Sequence, residues 1–178
     1  KRQQLGLFDF DQASKISGSG FPLYKSKGAL LERGLINFML DFQTNNNGYT
    51  EIFPPFLVNS TSALTTGNLP KFSEDMYHYE IDNLWLIPTA EVPMTSYHRD
   101  QILSENQLPK KYAAFSACFR REAGSYGSDV RGLNRLHQFD KVEIVRIENP
   151  DCSYDALDEM LNHVKKLLHS LESVSYTH

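Results

Sequence analysis

Phe119-Arg120-Arg121-Glu122-Ala123-Gly124-Ser125-Tyr126-Gly127-Ser128-Asp129-Val130-Arg131-Gly132-Leu133-Asn134-Arg135-Leu136-His137-Gln138-Phe139-Asp140-Lys141-Val142-Glu143 is the stretch on which the reading of this chain turns. It joins two strand candidates, Tyr112–Glu122 and Leu136–Ile147, through a loop containing glycine. Side chains alternate across a strand, so Arg120 and Glu122 are predicted to share one face, as are Phe139, Lys141 and Glu143. Val142 and Ile144 then take the opposite, core-facing side. A guanidinium, carboxylates and an aromatic ring make a poor core, because burying such charges is costly unless they are paired or meet a ligand. Spacing alone admits two readings, a ligand-binding face or a solvated face laced with cross-strand ion pairs. The loop adds Arg121, Arg131 and Arg135 against Asp129, a local basic hairpin suited to phosphate groups or simply solvated.

Outward from this segment, residues 29–42 carry Leu31, Leu35, Phe38 and Phe42 at helical spacing, with Leu30, Ile36, Met39 and Leu40 widening the stripe. The pattern predicts a helix buried on much of its circumference and stopped by Asn45-Asn46-Asn47-Gly48. Tyr49–Val58 reads as a strand with Pro54-Pro55 inside it, which requires an edge position or a sharp bend. Short strands are expected at Met76–Ile81 and Leu84–Ile87 around an Asp82-Asn83 turn, then a short helix at Glu91–Arg99. After Asn149-Pro150-Asp151, the residues Leu157, Leu161, Val164, Leu168 and Leu171 recur at helical spacing. Strands grouped in hairpins point to an α+β fold, mostly antiparallel sheet flanked by helices, in one partial domain over 1–178.

Composition narrows the classes. With 40% hydrophobic and 22% charged residues in 178, the chain can bury a core and is not disordered. A net charge of −4 argues against holding nucleic acid by bulk positive charge, leaving room only for a local basic loop. Cys118 and Cys152 lack partner spacing, which suggests a reducing, cytoplasmic setting. Cys118, among Ala113, Ala114, Phe115, Ala117 and Phe119, reads as a buried, inert thiol. No run approaches a membrane span, so no membrane partner is expected. The histidines and cysteines show no metal-ligand spacing, so no metal site is expected.

The quoted segment resembles motif 2 of the class II aminoacyl-tRNA synthetases, in the form used by seryl-tRNA synthetases, over about 116–147. Gly48-Tyr49-Thr50-Glu51-Ile52-Phe53-Pro54-Pro55-Phe56-Leu57-Val58 with its preceding helix resembles motif 1 (about 28–58), with Pro55 at the motif's proline position. Pro88-Thr89-Ala90-Glu91-Val92-Pro93 resembles the family's serine-binding loop (88–93). The terminal helix falls at about 152–172. Neither the N-terminal tRNA-binding arm nor motif 3 is matched, so the chain is expected to be part of a catalytic domain and inactive alone. Gly34, where alanine is usual, and Arg121, where serine is common, are small departures.

The resemblance implies ATP-dependent activation of L-serine to seryl-adenylate and transfer to tRNA(Ser), in a homodimer formed through motif 1. Arg120 matches the catalytic arginine that bridges the α-phosphate and the amino-acid carboxylate. Thr89, Ala90, Glu91, Arg120 and Glu143 match serine-binding positions; Glu143 would take the substrate hydroxyl or its ammonium, with the hydroxyl favoured. Arg120, Arg121, Glu122, Arg135, Leu136, His137, Gln138 and Phe139 match ATP-binding positions, with Glu122 holding the adenine amino group and Phe139 stacking on the base. Phe139 and Glu143 lie about 13 Å apart along an extended strand, comparable with an aminoacyl-adenylate. Mg²⁺ is expected with ATP, without a ligand that can be named. His137 is expected to be a hydrogen-bonding residue rather than a general base, since a carboxylate nucleophile needs no deprotonation. A carrier-protein ligase, or a synthetase-like domain repurposed for binding, are the competing readings. The first generally depends on zinc, and the second should have lost part of this constellation.

Overall fold

The computed structural model describes residues 5–122 and 135–173. Loop positions 123–134, Asp129 and Arg131 among them, lie outside the described residues. Helix α1 is Phe10–Ser17 and α2 is Lys27–Asn47. Strand β1 is Thr50–Glu51, β2 is Leu57–Asn59, and α3 is Ser60–Thr65. A hairpin of β3 (His78–Tyr79) and β4 (Leu84–Leu86) precedes α4 (Glu91–Ser96). The two long strands are β5 (Lys110–Phe119) and β6 (Gln138–Ile147), followed by α5 (Ser153–Ser170). Helices α1 and α3 were not evident in the sequence pattern.

Among the described residues the strands form two three-stranded sheets, β1-β5-β6 and β2-β4-β3. All pairings are antiparallel except β1 with β5, which is parallel. The expected α+β, mostly antiparallel architecture is therefore present. The expected single strand Tyr49–Val58 is not: β1 joins one sheet and β2 the other, and the residues between them are unpaired in strands. Pro54 and Pro55 have no N–H to offer a ladder, so the chain leaves the first sheet there and enters the second. The expected turn at Asp82-Asn83 is present, with Asn83 at φ 52°, a left-handed setting that asparagine tolerates.

The strand expected to run to Glu122 ends at Phe119, and Glu122 has φ 53°. Simple alternation therefore does not carry past Arg120. Helix α2 runs to Asn47 before Gly48, at φ 68°, closes it with an N–H to the Gln43 carbonyl.

Register explains what the central hairpin covers. Cys118 pairs with Phe139, Ser116 with Lys141, Ala114 with Glu143 and Tyr112 with Val145, so these eight side chains share one face. The opposite face brings Ala113, Phe115, Val142 and Ile144 against Ile36 and Leu40 of α2 and Tyr49, which precedes β1. On the first face, β5 presents small residues next to the larger side chains of β6. Helix α4 and the segment before it settle into that space, burying Ala90 and Met94 against Tyr112 and Ala114. Ile87 and Val92 continue the packing to Val58 in the other sheet.

One burial expectation needs correction. Leu30 and Leu31 of α2 are 58% and 56% exposed, so that helix is not buried on most of its surface. In α5, the buried residues are Ala156, His163 and Leu167, while Leu157 is 60% exposed. The helix docks through a polar anchor: the Tyr49 hydroxyl meets His163 Nδ1 at 3.1 Å. Lys111 reaches Glu159 at 3.2 Å, and Arg146 bridges Glu159 and Glu148. Histidine in the contact displaces the apolar stripe from the interface, which periodicity of the leucines could not reveal.

Candidate functional site

The segment Pro88–Glu91 connects β4 to α4 and lies over the hairpin because Ala90 is wholly buried on β5. That packing sets Thr89, 8% exposed, beside the polar row of β6. Its hydroxyl donates to Glu143 Oε2 at 2.6 Å, and the Glu91 backbone N–H donates to the same oxygen at 3.0 Å. Lys141 Nζ donates to Thr89 Oγ1 at 2.6 Å and stands 3.0 Å from Glu143 Oε2. One carboxylate oxygen thus gathers a hydroxyl, a backbone amide and an ammonium. Charge-assisted bonds of this kind are the strong ones, and they fix the carboxylate's orientation.

Four residues before Glu143 on the same strand, Phe139 lies under the Arg120 guanidinium, 5.1 Å from ring centroid to Cζ. Arg120 Nε donates to the Pro88 carbonyl at 3.2 Å, which ties the arginine to the segment carrying Thr89. Arg135 pairs with Glu122 at 2.5 Å. A cavity of about 330 Å³ opens here, lined by Pro88, Thr89, Arg120, Glu122 and Arg135, with Asn68, Phe72, Asp75 and Met76 forming the other wall. Guanidinium, ring and carboxylates therefore stand together along one side of the hairpin, with the threonine segment in hydrogen-bond contact with Glu143.

Other sequence-picked residues have different settings. The Arg121 guanidinium carbon lies 5.9 Å from the Tyr77 ring centroid, and its N–H donates to the Asp75 carbonyl; it does not line the cavity. Leu136 is 6% exposed, and alternation puts Gln138 on the side of β6 opposite Phe139. The Ala90 methyl is core, and the Glu91 side chain is exposed, its visible contribution being its N–H.

His137 is structural in its contacts. Its Nδ1 is 3.0 Å from both the Arg120 carbonyl and the Tyr77 hydroxyl. A carbonyl can only accept, so Nδ1 carries the proton in that bond. The His137 N–H also donates to the Gly20 carbonyl at 2.7 Å, and Phe21 stacks on the ring at 5.4 Å. Cys118 is fully buried, and that burial pushes its thiol pKa up, as expected of an unreactive core cysteine.

Sequence reasoning placed Pro88 in the loop but gave no role to its carbonyl, which accepts from Arg120, and missed the wall from Asn68 to Met76. That wall comes from a region of short turns with no periodic signal. Lys141 was placed on the correct face but given no role.

The hairpin face thus sets a guanidinium stacked on a ring beside a threonine hydroxyl and a carboxylate that hold an ammonium, groups whose chemistry suits an anion and a cation side by side. The family model for the tRNA synthetase class II core domain (G, H, P, S and T) matches residues 75–177, and the chain belongs to that family. Among its relatives, the serine–tRNA ligase of Chlorobaculum parvum is 56% identical over 170 residues, covering 96% of this chain and 40% of that protein. That of Methylacidiphilum infernorum is 54% identical over 169 residues, covering 95% and 40%. The seryl-tRNA synthetase of Pyrococcus horikoshii, solved in complex with ATP, superposes with a TM-score of 0.90 at 36% identity, over 96% of this chain and 38% of that one. The cytoplasmic serine–tRNA ligase of Naegleria fowleri, solved with AMP, gives 0.88 at 29% identity, over 95% and 40%. The chain thus spans about 40% of the length of these relatives.

Proposed function

We propose that this chain carries the serine- and ATP-binding part of a serine–tRNA ligase, which joins L-serine to ATP as seryl-adenylate and passes the seryl group to tRNA(Ser). The observation that carries the reading is the triple contact on Glu143 Oε2 from Thr89, the Glu91 N–H and Lys141, four residues along the strand from the Arg120–Phe139 pair. The carboxylate of serine attacks the α-phosphorus of ATP, so two anions must be brought into line. Arg120 supplies the positive charge between them, held by Pro88 so that little reorganisation is needed on binding. Glu122 faces the adenine amino group and Phe139 stacks on the base. Arg135 serves the phosphates or keeps Glu122 oriented. Thr89 and Glu143 receive the serine head.

If one Glu143 oxygen takes the ammonium and the other the substrate hydroxyl, alanine is strongly disfavoured, because it leaves that second oxygen without its partner. Threonine differs by one methyl and is rejected only by shape, which is intrinsically weaker. Mg²⁺ would accompany ATP as a counter-ion of its phosphates; among the described residues no group of three or more His, Cys, Asp and Glu is placed to hold a metal ion. The partners that go with this reading are serine, ATP, tRNA(Ser) and a second copy of the chain. The exposed leucines of α2, within the motif 1 region, support a homodimer. A cytoplasmic setting goes with the same reading; no helix among the described residues is long and apolar enough to cross a membrane.

Serine-dependent exchange of pyrophosphate into ATP tests the proposal in the longer protein that contains this sequence. Exchange is expected with serine, far less with alanine or threonine, and to fall by about 10²–10³ in Arg120→Ala. Full exchange in that variant would remove Arg120 from the chemistry.

A further inference from the structure

We propose that Lys141 is an internal stand-in for the substrate's ammonium: it fills the ammonium subsite when serine is absent, and it moves to the substrate carboxylate when serine binds. The inference rests on the serine-binding reading above and adds to it a residue which that reading leaves idle.

The geometry begins with what an α-ammonium needs, which is a small set of converging oxygen acceptors. At the head of the pocket these are Thr89 Oγ1 and Glu143 Oε2. In the structure both are already taken by an ammonium, with Lys141 Nζ at 2.6 Å from the first and 3.0 Å from the second. Two cations cannot share those oxygens, so an incoming amine has to displace the lysine. The lysine is equipped to yield. Its side chain is 29% exposed, and it rises from β6 opposite Ser116, a small residue that leaves room beside its stem. A flexible four-carbon stem ending in a compact charge suits an exchangeable counter-ion better than a rigid fork would.

Position along the strand says where the charge goes. Lys141 lies between Glu143, at the head of the pocket, and Phe139, over which Arg120 is stacked. An amino acid whose ammonium occupies the Thr89–Glu143 oxygens and whose carboxylate reaches toward Arg120 has that carboxylate opposite position 141. The displaced ammonium therefore finds a new anion within its own sweep. An amine without a carboxylate displaces Lys141 and offers it nothing in return. The lysine thus makes the pocket select for a zwitterion. Its occupancy weakens every amine, and only a carboxylate restores what was lost. An occupant present about nine-tenths of the time weakens a competitor about tenfold.

The test is a titration of the longer protein that contains this sequence, followed by NMR, with three ligands: L-serine, ethanolamine (which lacks the carboxylate) and 3-hydroxypropionate (which lacks the ammonium). Wild type is compared with Lys141→Met. The variant should bind ethanolamine about tenfold more tightly and 3-hydroxypropionate more weakly, so the preference for serine over ethanolamine falls by tenfold or more. In wild type, the Lys141 Cε resonance should shift with serine. Lys141→Gln, which keeps a donor without the charge, should follow Lys141→Met and serves if the methionine disturbs folding. Equal changes for all three ligands would make Lys141 a merely structural residue and overturn the proposal, as would weaker ethanolamine binding in both variants. If wild type binds no serine even at high concentration, the serine pocket itself fails, an outcome distinct from a wild type that binds serine with no change in preference.

Discussion

Gly20→Ala tests whether His137 is as tightly held as its contacts imply. Gly20 sits at φ +84°, and a Cβ there would fall 2.3 Å from His137 Cδ2 and 3.0 Å from Nε2. The left-handed backbone alone costs an alanine about 1–2 kcal/mol. A free imidazole could swing away, but this one is fixed by Nδ1 to the Arg120 carbonyl and Tyr77 and by Phe21 against its face, while the backbone N–H of His137 is held by the Gly20 carbonyl. Forcing it aside adds roughly 1–3 kcal/mol of overpacking. Gly67→Ala is the matched control, since Gly67 has φ +73° and open space around its missing Cβ. At about 2–4 °C per kcal/mol for a chain of this size, Gly20→Ala should melt roughly 2–12 °C below Gly67→Ala by circular dichroism. In a cycle with His137→Ala, the double variant should lose less than the sum of the singles, because the truncated ring no longer collides. ATP affinity should also drop in Gly20→Ala and not in Gly67→Ala, since His137 carries the Arg120 backbone. Equal melting of the two glycine variants, with strict additivity in the cycle, would refute the reasoning.

Gly34 lies in α2 with nothing near its missing Cβ, so Gly34→Ala should stabilise the chain by about 0.5–1 kcal/mol in urea unfolding. Stability should also fall with acid in two separate windows, through the α5 anchor. Burial holds His163 below its ordinary 6.5, so the unfolded chain takes the proton first and stability declines as pH drops below about 6.5. Glu159 is held down to about 2, mainly by its hydrogen bond from Arg146. Its contribution is intact above about 4.5 and is lost as pH falls from there toward 2. Melts across pH should show His163→Gln flattening the upper limb and Glu159→Gln the lower. An upper limb unchanged in His163→Gln would place that titration elsewhere.

Much of this was legible in the sequence. Alternation along β6 put Phe139, Lys141 and Glu143 on one face because β6 is regular over its whole length. The same rule stopped short on β5, where the strand ends at Phe119 and Glu122 adopts a positive φ. Arg120 and Glu122 meet the same cavity through a turn, not through a pleat. The prolines at 54 and 55 signalled a break, but one proline pair cannot say that its two flanks belong to different sheets. The α5 leucines marked the helix but not its contact, because the helix is anchored by His163 and Glu159, and pairing with Tyr49, Lys111 and Arg146 is a matter of three-dimensional neighbours. Likewise the Asn68–Met76 wall is made of turn residues whose placement depends on what they pack against.

The most direct measurement is a crystal structure of this chain with a non-hydrolysable seryl-adenylate analogue. Adenine should lie on Phe139, the phosphoryl mimic at Arg120, and the seryl ammonium between Thr89 Oγ1 and Glu143 Oε2, with Lys141 turned toward the acyl end. An analogue lodged in the cavity on the α2 side of the hairpin, which Glu32 of α2 and Asp140 line, or one that leaves Glu143 still bonded to Lys141, would contradict the account.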